Sequence, residues 1–164
     1  MRIFGYNAEN KILFLIVIGK FMTEAQLKSS AEQSIALEVL MLTEMNEEYD
    51  FGSFNKRDKE KFIECYNEIV DFDKVNLIKD ALDKLDDAFD EVKIPKTTVP
   101  FVIYAAYKVM EEGKDFDNFV EVVKEFLANY DNNEEYKSML TNGTSSGESV
   151  KFRIDYWKNV VDKM

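Results

Sequence analysis

Between residues 74 and 92, Val75, Ile78, Leu82, Leu85, Phe89 and Val92 follow one another at intervals of three, four, three, four and three. At about 100° per residue, this spacing gathers the six side chains on one face of an α-helix and would split them between the two faces of a strand. The segment therefore buries well only as a helix. Burial of six such side chains supplies roughly 10–15 kcal/mol of gross hydrophobic stabilisation before chain entropy is subtracted. Pro95 closes the segment. Across 164 residues there are only two prolines and six glycines, mostly between periodic stretches. Such sparse punctuation suits helices rather than a sheet with frequent turns.

The same periodicity extends along the chain. Residues 30–49 carry Ile35, Val39, Leu42 and Tyr49 on one stripe, widened by Leu37, Leu40 and Met41. So broad an apolar surface predicts a helix in the middle of a bundle. A turn at 50–53 separates it from a helix at 55–70, with Phe62, Tyr66, Ile69 and Val70 on one side. Thr98 is placed to cap the next helix, with Pro100 in its first turn, where a missing N–H costs nothing. That helix is expected to run to about residue 112 and stop at Gly113. Asp115 is expected to cap a helix striped by Phe116, Phe119, Val120, Val123, Phe126, Leu127 and Tyr130. A short helix at 133–140 and a loop at 142–147 lead to a last helix at 148–163, carrying Val150, Ile154, Trp157, Val161 and Met164. The apolar run at 12–18 suits either a strand or a buried helix; we read helix, ending at Gly19, within an N-terminal segment (1–29) of uncertain structure. The expected fold is all-α, a single-domain bundle of about seven or eight helices over residues 1–164.

Composition excludes much chemistry. Histidine is absent and Cys65 is the sole cysteine. Without imidazole there is no His-based general base, no Ser-His-Asp or Cys-His unit and no zinc–histidine site. One cysteine permits neither an internal disulfide nor a thiolate metal cluster. With 21 basic and 32 acidic residues the net charge is −11, which opposes nucleic-acid phosphates and anionic lipid and favours basic proteins. Only Arg2, Arg57 and Arg153 are arginine, the better residue for bidentate phosphate recognition. The apolar run at 12–18 is far shorter than the roughly 20 residues that cross a bilayer, and no cleavage pattern follows it. We therefore expect a cytoplasmic protein with no membrane association, direct nucleic-acid binding, metal or cofactor.

The strongest candidate surface lies opposite the stripe of helix 74–92. Asp80, Asp83, Asp87, Asp90 and Glu91 fall within an arc of about 100°, with Asp86 at its edge. As a solvated face, it would be compensated by Lys79–Asp83 and Asp80–Lys84 pairs. As a docking surface, it would meet a basic partner. At about 1.5 Å rise per residue, carboxylates three or four residues apart advance about 5 Å, against one charge per roughly 1.7 Å of duplex DNA. One helix cannot copy a duplex; a second acidic surface is needed, from Glu111, Glu112, Asp115 and Asp117 or from Asp131, Glu134 and Glu135.

Other candidates are weaker. Asp86-Asp87 and Glu134-Glu135 are adjacent, so on a helix they diverge rather than converge on an ion. The segment from Asp131 resembles the start of a calcium loop but has Tyr136 and Asn142 where glycine and glutamate are required. The loop at 141–147 has phosphate-cradle residue types but no Gly-Lys-Ser/Thr and no preceding strand, and reads as a connection that caps the last helix, with Glu148 in its first turn. Cys65 reads as a small filler beside Tyr66. Arg153, among Phe152, Ile154 and Tyr156, is expected to make a partly buried ion pair.

From about residue 30 onward the order of elements resembles the helical C-terminal half of GmrSD-type restriction proteins, bacterial defence factors whose N-terminal half has a ParB/sulfiredoxin-like fold. The resemblance is carried by Glu38-Val39-Leu40, by Phe62-Ile63-Glu64-Cys65-Tyr66, by 99–107 and 116–126, and by Thr144 followed by Val150-Lys151-Phe152-Arg153-Ile154. The family's catalytic Asp-Gly-Gln-Gln-Arg signature has no counterpart here, and its second nuclease module needs histidine. The resemblance thus implies a helical half without catalytic residues. Together with the charge, it leads us to expect a non-enzymatic, acidic protein-binding module, an anti-CRISPR or anti-restriction type of inhibitor from a phage or mobile element. Such a module would act by blocking the basic surface of a nuclease or other nucleic-acid-binding protein. The alternative is an accessory helical subunit of a split GmrSD-like restriction system; self-association is open in either case. A hydrolase built only from carboxylates and lysines is chemically possible and would need them converging in one cleft.

Overall fold

The structure is a computed structural model that describes residues 31–45, 52–69, 72–89, 93–141 and 143–164. Among the described residues there are seven α-helices and no strand: α1 (Ala31–Glu44), α2 (Lys56–Ile69), α3 (Phe72–Ala88), α4 (Val99–Glu111), α5 (Phe116–Ala128), α6 (Glu134–Ser138) and α7 (Gly147–Asp162), with a 3₁₀ turn at Tyr130–Asn132 between α5 and α6. They pack as one all-α bundle. The helix expected at 12–18, Tyr49 and Val92 lie outside the described residues.

Helix α4 occupies the centre and packs against α1, α3, α5 and α7. It is buried from Val99 without interruption to Tyr107, and again at Val109. The central position predicted for helix 30–49 therefore belongs to α4. Helix α1 is nonetheless deeply packed, with Ile35, Ala36, Val39, Leu40 and Met41 almost fully covered. The reason is composition around the circumference. Residues 99–107 contain no charged side chain, whereas α1 carries Glu38, which stays half-buried and pairs with Lys59 of α2.

The stripe of α3 packs as its spacing requires, with Val75, Ile78, Leu82, Leu85 and Phe89 all buried, joined by Ala81. The helix is shorter than predicted, ending at Ala88 rather than 92. The Phe89 N–H donates to the Leu85 carbonyl at 3.1 Å, closing the last turn while its ring stays in the core. Helix α4 stops where Gly113 adopts a left-handed φ of 64°, and the Lys114 N–H returns to the Val109 carbonyl at 2.9 Å. The Lys114 ammonium then reaches 2.6 Å to the Val161 carbonyl, tying this turn to the C-terminal end of α7.

Among the helix starts whose capping residues are described, one departs from capping chemistry. Asp115 accepts the N–H groups of Asp117 and Asn118 at 3.0 and 3.2 Å, and Ser146 accepts that of Ser149 at 3.3 Å. Thr98 stands at the start of α4, but its hydroxyl caps nothing. It accepts instead from the Tyr136 hydroxyl at 3.4 Å, and that hydroxyl accepts from the Trp157 indole N–H at 3.3 Å. A fully buried phenol needs a partner, and Thr98 is the buried group within its reach. Around it, the Phe126 ring lies 5.0 Å from Trp157, 5.1 Å from Tyr136 and 5.7 Å from both Tyr130 and Tyr156, mostly edge-on.

Candidate functional site

On α3, Asp80 and Asp87 are exposed and Asp83 and Asp86 half-buried, opposite the buried stripe. Asp90 and Glu91 lie outside the described residues. The compensating Lys79–Asp83 and Asp80–Lys84 pairs do not form. The Lys84 ammonium turns away to lie 5.3 Å from the centre of the Phe116 ring, a cation–π contact with the first residue of α5. Among the described residues no cation pairs with Asp80, Asp83 or Asp87.

The same contact decides which second acidic surface adjoins the first. Phe116 is flanked by Asp115 and Asp117, both exposed, so the start of α5 brings two more carboxylates to the Lys84 side of α3. Glu111 and Glu112 are already engaged. Lys108 pairs with both, and Lys114 meets Glu112 at 3.1 Å. Burial pushes the Glu111 carboxyl upward, but hydrogen bonds from Lys108 and Tyr107 outweigh it and hold the group below the ordinary carboxylate value. Asp131, Glu134 and Glu135 are exposed around the 3₁₀ turn and the start of α6, where Lys137 stands 3.6 Å from Asp131.

A second site is cationic, and charge patterning along the chain gave no sign of it. Arg153, only 1% exposed, makes no ion pair among the described residues, contrary to expectation. It donates from Nε to the Ser149 carbonyl at 3.0 Å, from one terminal nitrogen to the Thr97 carbonyl at 2.5 Å, and from the other to the Thr144 carbonyl. Its guanidinium carbon lies 4.3 Å from the centre of the Phe101 ring. Burial lowers its pKa from the ordinary arginine value, while Tyr136 and Glu38 pull the other way. These carbonyls come from three separate segments, which a planar fork can join where an ammonium cannot.

Arg153 forms one wall of a cleft of about 250 Å³, lined also by Lys59, Lys96, Thr97, Thr144 and Ser145. Glu38 is the only carboxylate among the residues lining it, and its Oε1 accepts from Lys59 at 2.5 Å and Ser34 at 3.1 Å. The loop at 143–146 is held in place by the Phe54 N–H donating to the Ser145 carbonyl at 3.0 Å. A Cβ on Gly147 would stand only 3.0 Å from the Gly52 carbonyl oxygen, so the two loops approach at a point where a side chain does not fit.

Among the described residues no three metal-ligating side chains come together, and no helix is long and apolar enough to cross a membrane. Cys65 lies in α2. Of the segment that resembles a calcium loop, Tyr136 faces the core. No family model matches the chain, and neither the search of curated proteins nor that of solved structures returns a match.

Proposed function

We propose that this chain is a non-catalytic, acidic protein-binding module that docks on the basic surface of a nuclease or other nucleic-acid-handling protein, as an anti-CRISPR or anti-restriction inhibitor would. The observation that carries the proposal is the diversion of Lys84 to Phe116. It takes Lys84 from Asp80 and brings the start of α5, with the exposed Asp115 and Asp117, to the Lys84 side of α3, where Asp80, Asp83 and Asp87 pair with no cation among the described residues. Side chains already committed to ion pairs must lose those partners before docking, whereas Asp80, Asp83 and Asp87, which pair with no described cation, meet lysine and arginine without that loss. Opposed charge speeds encounter and makes it salt-sensitive. The net charge of −11 acts in the same direction over longer range.

The test measures inhibition of, and affinity for, a panel of purified restriction and CRISPR nucleases, with the wild type and the triple variant Asp80→Lys, Asp83→Lys, Asp87→Lys. Expected are an affinity that falls steeply with salt and a loss of at least about tenfold in the variant, with the thermal midpoint retained. Binding that is indifferent both to salt and to the triple reversal removes this face from the function.

A further inference from the structure

We propose that the cleft between Arg153, Lys59 and Lys96 is a binding site for a small phosphate monoester dianion. The proposal is independent of the docking face.

Charge is the first ground. In a chain with an excess of acidic residues, the described residues lining this cleft include three cations against one carboxylate, a surplus of two positive charges among them. Glu38 is drawn to one side by Ser34 and Lys59. The exposed Lys96 makes no ion pair among the described residues. Arg153 is bound only to neutral carbonyls, which orient its guanidinium without cancelling its charge. It uses three of its five N–H donors in those bonds.

Donor supply is the second ground. Thr97, Thr144 and Ser145 line the cleft, and their hydroxyls make no hydrogen bond to any described residue. Hydroxyls and a guanidinium edge around a local charge of two match an anion with several acceptor oxygens and a charge near −2, which a phosphate monoester carries at neutral pH. Size is the third. About 250 Å³ lies just under the range of roughly 300–1,000 Å³ typical of drug-sized ligands, so the site suits a phosphate with at most a small attached group. The loop that fails as a P-loop in sequence thus meets its cations from elsewhere in the chain.

The experiment titrates the isotopically labelled full chain with inorganic phosphate, adenosine monophosphate and adenosine at constant ionic strength, following backbone amide signals by NMR. Expected is saturable movement of Thr97, Thr144 and Ser145 with both phosphates, a Kd of about 1 mM or tighter, and none with adenosine. Equal affinity for the two phosphates supports a site for the phosphate group itself; markedly tighter binding of the nucleotide would overturn the limit to a small attached group. Lys96→Ala should weaken binding at least about fivefold while leaving the thermal midpoint unchanged, since its side chain is exposed and makes no ion pair among the described residues. Nucleotide binding should also weaken as pH falls through about 6, where the monoester takes up its second proton. Non-saturating shifts, shifts with adenosine alone, or full affinity in Lys96→Ala would overturn the proposal.

Discussion

The guanidinium of Arg153 lies 4.3 Å from the centre of the Phe101 ring, joining the last helix to the central one through a buried charge. Its three hydrogen bonds extend the connection to Thr97, just before α4, and to Thr144, in the loop before α7. Arg153 therefore adds polar ties from α7 to the loops before α4 and α7, beside the direct packing of the two helices.

Arg153→Met removes the charge and fork but keeps much of the apolar bulk, leaving the Thr97 and Thr144 carbonyls without this donor. A loss of about 3 kcal/mol is expected in urea unfolding, with Arg153→Lys losing somewhat less because an ammonium cannot reach all three acceptors. A wild-type midpoint in Arg153→Met would show that the contacts hold nothing.

Capping separates two residues that look alike in sequence. Asp115→Ala should cost about 1 kcal/mol by releasing the N–H groups of Asp117 and Asn118. Thr98 caps nothing, so Thr98→Val should act through its phenol partners, Tyr136 foremost. Thr98→Val and Tyr136→Phe break the same bond, and the double variant should be less destabilised than the two single effects combined. Strict additivity in a double-mutant cycle would refute the link.

Burial pushes the phenols of Tyr136 and Tyr104 up to about 12 from an ordinary 10.0. A raised folded-state pKa means that the neutral phenol is favoured by the fold. The stabilisation is fully present below pH 10 and is lost as pH rises toward 12. For Tyr136 the stabilisation present below that window, and lost across it, amounts to roughly 3 kcal/mol. Denaturant midpoints measured across the window should fall steeply, and Tyr136→Phe should flatten the slope. An unchanged slope in that variant would place the titration elsewhere.

Phe126 is the hub of the aromatic cluster between α5, α6 and α7, touching Tyr130, Tyr136, Tyr156 and Trp157. Phe126→Ala should cost about 3–5 kcal/mol, since rigid rings cannot collapse into the space left behind. Phe116→Ala, at a half-buried site, should cost much less while releasing Lys84. Comparable thermal losses in the two variants would contradict the assignment of the hub.

Helices α3, α5 and α7 were legible because one short-range rule, the three-and-four spacing of apolar side chains, decides both their conformation and their buried face. Asp115 was legible for the same reason, as a cap reaches only two or three residues along its own chain, whereas the loop at 141–147 was read as capping the last helix without Ser146 being singled out. Helix α4 carried a readable signal in its uninterrupted apolar run at 99–107, but which helix lies at the centre depends on what surrounds it.

The sequence by itself determined the helical class, most of the element order, the acidic excess and the absence of imidazole chemistry. Only the tertiary structure decided where charges are spent. Lys84 abandons its helical neighbours for Phe116, Arg153 finds carbonyls up to 56 residues away rather than a carboxylate, and Lys59 crosses 21 residues to Glu38. Local periodicity cannot encode these partners. A buried or half-buried charge settles where desolvation is best offset, and those positions exist only once distant segments have packed.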